Sequence, residues 1–147
     1  METSRNHTTI STLILVACGI WLVGLGIYFV ALRPGLLPED PRFIGTGLTE
    51  IRTAIPGLER WLRHVFTVMG GFMIASSLLT IWFPLVAERA RHRATTIILA
   101  TAGLLTVGTM SLTNFLIDSD FKWLLLAPAL LWLVGVFFRL GESGTAT

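Results

Sequence analysis

Four stretches of this chain carry no Asp, Glu, Lys or Arg, and three of them are long. Residues 11–32 and 65–86 each run for 22 residues, 94–117 for 24, and 123–138 for 16 between Lys122 and Arg139. A helix needs roughly 20 apolar residues to cross the hydrocarbon core of a bilayer. In lipid the backbone must satisfy its own hydrogen bonds, and no alternation of the barrel kind is present, so helices are the required solution. The fourth stretch is short, but Lys122 and Arg139 at its ends can snorkel and Trp123 can sit at the interface. The expectation is an all-α integral membrane four-helix bundle forming a single domain over residues 1–147. Its spans lie near 11–32, 65–86, 94–117 and 123–140, and a short amphipathic segment, 33–64, stands between the first two.

Composition agrees with that reading. The chain is 53% hydrophobic and 14% charged, where a soluble domain carries roughly 25% charged residues. One cysteine excludes an internal disulfide framework and a Cys-cluster metal site. A net charge of +2 on so apolar a chain gives no footprint for nucleic acid. The bilayer is the expected partner, with a membrane protein or a second copy of the chain beside it. The segment Leu15–Cys18, "LVAC", matches a bacterial lipoprotein cleavage box. However, the residues after Cys18 stay apolar and only Arg5 precedes the run, so a spanning helix with a chance match is the preferred reading.

Orientation follows the basic residues. Arg89, Arg91 and Arg93 crowd one short connection, on the side that also carries Arg5 and Arg139. The other side carries six cations diluted by six acids. The raw totals point weakly the opposite way, but density in a short connection is given more weight. The expectation is a bacterial inner (plasma) membrane protein with both termini in the cytoplasm and segment 33–64 outside.

That segment is far longer than the roughly 2–8 residues that join bundle helices. Pro34, Pro38 and Pro41 impose turns and extended backbone on its first part. Asp40-Pro41 reads as an N-cap followed by a first-turn proline. Leu48, Ile51 and Ile55 then fall on one helical face. Pro56 restarts the chain, and Leu58, Trp61 and Leu62 form the wet beginning of the second span, with Glu59 and Arg63 at i,i+4. Such a piece lies flat at the headgroup boundary. It is read as a solvated elbow or as a lid or docking surface, and its five arginines against four acids favour internal pairing over recruitment of anionic lipid.

The uncharged cores contain no ionisable group of the kind that marks ion-coupled transport, and no Ser/His/Asp arrangement is legible. His64 stands at the outer boundary; a metal or acid–base site there would draw on Asp118, Asp120, Glu39, Asp40 or Glu59, while the plainer reading is a histidine meeting water or headgroups. His7 and His92 belong to the opposite side, which removes a bis-histidine haem. No cofactor is expected, and the protein is not expected to be an enzyme. Gly71 with Ala75, Ser76 with Thr80, and the row Ala102, Thr106, Thr109, Thr113 read as small-residue packing stripes. Asn114 is the most polar side chain at depth and is expected to bond another helix. Pro84 and Pro128 are expected to bend their helices near the ends.

On "LLPEDPRFIG" and "LRHVFTVMGGFMIASSLLTIW" (residues 36–45 and 62–82), the chain resembles small bacterial four-span membrane proteins. Its layout is similar to the DoxX-like families, in which a structured first loop leads into a second helix with a basic residue and a Gly-Gly pair. The resemblance implies an integral bundle accompanying redox or envelope-stress partners. It supplies no catalytic residue, and the lone Cys18 departs from a thiol-redox scheme. Two functions are therefore expected, in this order. The first is a non-enzymatic accessory or interaction subunit using segment 33–64 as its recognition element. The second is a binder or carrier of a hydrophobic small molecule or lipid, between the second and third helices under the cap. Candidate contacts are His64, Asn114, Thr113, Asp40, Arg42 and Trp61.

Overall fold

The structure, a computed structural model, describes residues 9–86 and 93–144. Its elements are α1 (Ile10–Ala31), α2 (Glu39–Ile44), α3 (Leu48–Ala54), α4 (Leu58–Val86), α5 (Arg93–Gly103), a π-helical turn (Leu104–Gly108), α6 (Thr109–Leu116) and α7 (Lys122–Gly144). No strand occurs among the described residues. Four helical stretches are long and apolar enough to cross a membrane: Ile10–Ala31, Leu58–Val86, Ala94–Leu116 and Lys122–Glu142. The molecule is an all-α multi-pass bundle in which α5, the π turn and α6 together make the third span. Ser11 Oγ donates to Glu142 at 2.7 Å, so the start of α1 and the end of α7 lie at one end. Arg89, Arg91, Arg5, His7 and His92, on which the orientation argument and the haem argument draw, lie outside the described residues.

The helices pack as a chain of neighbours. α1 is flanked by α4 and α7, and α7 in turn packs against the third span. The seam between α1 and α4 is made by small residues at seven-residue steps. A Cβ on Gly26 would stand 3.0 Å from the carbonyl oxygen of Gly70, and one on Gly19 would stand 3.2 Å from that of Ser77. The same step reaches Thr12 on α1 and Pro84 on α4, both buried. A strict seven-residue repeat keeps one seam facing its partner along its whole length, and residues without bulk let the backbones close. The small residues expected to do this, Gly71, Ala75 and Ser76, are exposed; the seam runs one residue out of phase, through Gly70 and Ser77. In a 29-residue helix, α4 buries only Gly70, Ser77 and Pro84.

The other face of α1 meets α7. Leu15 packs on Gly135, and the Cys18 thiol donates to the Pro128 carbonyl at 3.4 Å. Leu15, Cys18, Leu22, Leu99, Val107, Ala129, Trp132 and Val136 form the buried apolar core. It therefore lies among α1, α7 and the third span. The Trp132 ring covers Gly103 so closely that no side chain fits there. Arg139, expected to snorkel at the end of the fourth span, is 2% exposed. It lies within α7, which continues past it to Gly144, and not at the helix end.

The second span starts at Leu58, so residues 58–64 of the expected cap are the first turns of α4 and the cap proper ends near residue 57. α2 begins at Glu39 with Pro38 in the N-cap position. Asp40 is thus inside the helix and not its N-cap, and its carboxylate reaches back to accept the Leu37 N–H at 2.7 Å. Gly45 ends α2 at φ 81°, the left-handed conformation that glycine adopts freely. In α3, Ile51 is buried while Leu48 and Ile55 remain exposed.

Candidate functional site

Because α4 is held by α1 along one narrow seam and the third span is held by α7, the two do not close on each other. A cleft of about 950 Å³ remains between them, open along one side. Its walls are Met69, Phe72, Met73, Ser76, Thr80 and Phe83 of α4 and Ile98, Ala102, Leu105, Thr106, Thr109, Met110, Thr113 and Asn114 of the third span; Leu22 and Phe29 of α1 line its back. From Met69 to Phe83 a helix rises about 21 Å, against a hydrocarbon core of about 30 Å. The volume lies within the range of small-molecule sites, roughly 300–1,000 Å³, and the lining shows their usual mixture of apolar walls and a few polar groups. The π turn falls in this wall. Its i→i+5 bonding is rare in helices and is found frequently at functional sites.

The polar groups of the cleft are arranged with a bias. Ser76 donates to Phe72 O at 2.8 Å, Thr80 to Ser76 O at 2.9 Å, Thr106 to Ala102 O at 2.8 Å and Thr109 to Leu105 O at 2.6 Å. Each hydroxyl proton is thereby returned to its own helix, as serine and threonine do in apolar surroundings. What the hydroxyls present outward is oxygen. Asn114, expected to bond another helix, instead donates from Nδ2 to Met110 O at 2.8 Å on its own helix. That leaves its second N–H and its carbonyl oxygen at the cap end of the cleft. No charged residue lines the cleft among the described residues.

The cap is fastened over the same end. Arg33, with a side chain 10% exposed, lies 3.4 Å from the Phe66 ring centroid and 5.3 Å from that of Phe29, and stands 3.9 Å from Asp40. Burial pulls its pKa down from the ordinary arginine value, and Asp40 opposes that shift. A guanidinium over an aromatic face is stabilised by the ring quadrupole, more so when desolvated. Arg42 reaches across to the loop before α7 and donates to Asp120 Oδ1 at 2.9 Å and Asp118 O at 3.2 Å; its hydrogen bond to Asp120 raises its pKa. Glu39, 3% exposed, accepts from Ser119 Oγ at 3.0 Å. Asp118 pairs with Lys122, which holds its carboxyl below the ordinary 3.8. Arg52 meets Glu59 at 2.9 Å. Three of the segment's five arginines thus pair, Arg33 and Arg52 internally and Arg42 with the α6–α7 loop.

Of the residues singled out in the sequence, Asn114 and Thr113 come together in the cleft, and Asp40 and Arg42 serve as fastenings of the cap. His64 and Trp61 are exposed on α4 and do not line the cleft. His64 precedes Met69 by five residues, which places it about 140° around the helix, so it is not a polar contact of this site. Nor does it converge with Asp118 and Asp120: no group of three metal-ligating side chains forms among the described residues. Glu39 enters the sequence reading only as a candidate partner of His64, and Ser76 and Thr80 only as packing residues; the part of Ser119 and Arg33 in fastening the cap, and the apolar α4 wall, were missed. The 3–4 spacing of Met69, Phe72, Met73, Ser76, Thr80 and Phe83 was visible, but it does not distinguish a wall from a packed face. No family model, curated protein or solved structure matches the chain.

Proposed function

We propose that this protein is a binder or carrier of a hydrophobic, long-chain ligand, held in the lateral cleft between α4 and the third span. The cleft itself carries the proposal: about 950 Å³ of largely apolar space, reached from the side and backed by α1. A ligand would enter from the bilayer without crossing water, and the cap would stand over the end where Asn114 and Thr113 lie. On this reading the protein sits in a bacterial inner membrane with its termini in the cytoplasm, a placement supported by the arginines at 89, 91 and 93. No residue is assigned a catalytic role.

Mass spectrometry of the protein extracted in native lipid discs tests this. A lipid or other apolar small molecule is expected at a fixed stoichiometry, and Ala102→Trp, which fills the cleft from the third span, is expected to abolish it. Equal retention by wild type and variant would overturn the reading.

A second function has its own support. Phe43, Ile44, Ile55 and Trp61 are each more than half exposed on or beside the cap, a surface suited to a membrane partner or a second copy. As an accessory subunit, the protein would use segment 33–64 for recognition, and replacing residues 36–47 by a Gly/Ser linker is expected to release a co-purifying partner. Recovery of the same partner with the linker variant would argue against it. The DoxX-like resemblance favours this second function through its implied partners, while the residues that carry it are divided here among cap fastenings, the α1–α4 seam and the cleft wall.

A further inference from the structure

We infer that the polar end of the cleft is built for an uncharged, hydroxyl-bearing lipid, a long-chain alcohol of the diacylglycerol kind, and discriminates against anionic phospholipid. This rests on the lipid-binding reading above and adds the chemistry of the headgroup.

Three observations converge on it. First, the hydroxyls of Ser76, Thr80, Thr106 and Thr109 spend their protons on backbone carbonyls of their own helices. Beyond the second Asn114 N–H and the Thr113 hydroxyl, the polar groups along the cleft are therefore acceptors, which suit a ligand that donates. An ionised phosphate brings chiefly acceptor oxygens, more than these two donors can satisfy. Second, no charged side chain lines the cleft among the described residues, so an anionic headgroup drawn into it would be desolvated without compensation. Third, three cations of the cap and of the loop beneath it are engaged, while Arg63 precedes Met69 by six residues, which places it about 120° around α4 from the cleft face. Arg33 lies on Phe66 beside Asp40, Arg42 is bonded to Asp120, and Lys122 is bonded to Asp118. An anionic head lodged beneath the cap would have to break one of these pairs to find a counter-charge.

Asn114 is the group that reads the headgroup. Its Nδ2 already holds Met110 O, which fixes the amide and aims its carbonyl oxygen. A ligand hydroxyl can donate to that oxygen and accept from the remaining N–H. Thr113, adjacent in the same lining, adds a hydroxyl able to do either. The chains then lie down the cleft against Met69, Phe72, Met73 and Leu105, with the π turn at mid-depth. Methionine and phenylalanine adapt to chains of varied shape, so selectivity is assigned to the head.

The test uses the full chain in phosphatidylcholine nanodiscs and follows bound lipid by native mass spectrometry. Three probes share the same acyl chains: 1,2-dioleoylglycerol, its 3-acetyl ester and dioleoylphosphatidic acid. The alcohol is expected to bind about tenfold more tightly than the ester, the effect of about one hydrogen bond between well-placed groups, and phosphatidic acid more weakly than either. Asn114→Leu is expected to bring the alcohol down to the level of the ester while leaving the ester unchanged, a split that misfolding would not produce. Thr113→Val serves as the milder variant and is expected to narrow the same gap. Equal binding of alcohol and ester in wild type would overturn the inference while leaving a chain-binding cleft standing. Preference for phosphatidic acid would overturn it in favour of a cationic site. Retention of none of the three would remove the lipid-binding reading, and the inference with it.

Discussion

At the scale of single residues, the account turns on where bulk and charge are admitted. Gly103 is roofed by the Trp132 indole in the centre of the core, so Gly103→Leu forces either the ring or α5 aside. Overpacking of this kind costs about 1–3 kcal/mol, and a fall in Tm in detergent is the expected reading. The cap fastenings divide differently. Glu39 is buried and Ser119 is its hydrogen-bonding partner. Ser119→Ala therefore leaves a buried carboxylate short of a donor, with a cost of about 1–3 kcal/mol. The Arg42–Asp120 pair is more than half exposed on both sides, where solvent screens ion pairs, so Asp120→Ala should be the milder variant. Hydrogen exchange of the amides at 37–47 measures both, and a larger effect from Asp120→Ala would contradict the assignment. The pH dependence of the clasp has a definite sign. Asp118 is held below its ordinary 3.8 by Lys122, so its contribution is present above that value and is lost as pH falls through the lowered one. Arg42 is raised, so its contribution is present below the ordinary arginine value and is lost only in strong alkali. Exchange at the cap should be flat from about pH 5 to pH 9 after correction for intrinsic rates, and a step near neutrality would contradict the pairing described.

At the scale of elements, the decisive feature is how α4 is attached. Its buried residues fall at seven-residue steps and face Gly19 and Gly26 of α1. Gly26→Leu puts bulk against the Gly70 backbone and should separate the upper halves of α1 and α4, with a loss of about 1–3 kcal/mol. Gly71→Leu, one residue away where a Cβ meets nothing within 4 Å, should be nearly silent. Thermal unfolding of the two variants side by side checks this, and equal losses would refute the assigned phase. The pair also shows what was legible beforehand. Four spans follow from the uncharged runs because lipid leaves the backbone no alternative to helix. The cap was legible from its prolines and its excess length. The phase of the seam was not, because Gly70 and Gly71, or Ser76 and Ser77, are equivalent as small residues, and only the position of α1 chooses between them. The π turn left no signal in Leu104–Gly108, a sequence that fits an α-helix equally well. Asp40-Pro41 misled for a local reason: an aspartate in the first turn can bond backward to Leu37 as readily as it can cap.

At the scale of the whole molecule, three seams are closed and one is left open. α1 joins α4, α1 joins α7, and α7 joins the third span, while the cap ties the outer ends together through Arg33, Glu39 and Arg42. A bundle arranged this way keeps its core among three spans and, among the described residues, leaves the side between α4 and the third span open. That Asn114 and Thr113 would line a common space between the second and third spans was legible in their adjacency on the third span. That His64 would be absent from it was not, because helical phase at the start of α4 is set by the seam with α1. In a bilayer, bulk lipid would also meet the outward faces of the four spans, so the question is whether the cleft holds something different. The most direct measurement places a photoactivatable benzophenone at position 102, in the cleft, and separately at position 133, where Leu133 is 62% exposed on α7, and identifies the lipids captured in native membranes. The account predicts that adducts at 102 are dominated by one uncharged lipid class while those at 133 mirror the bulk membrane; identical profiles at the two positions would contradict it.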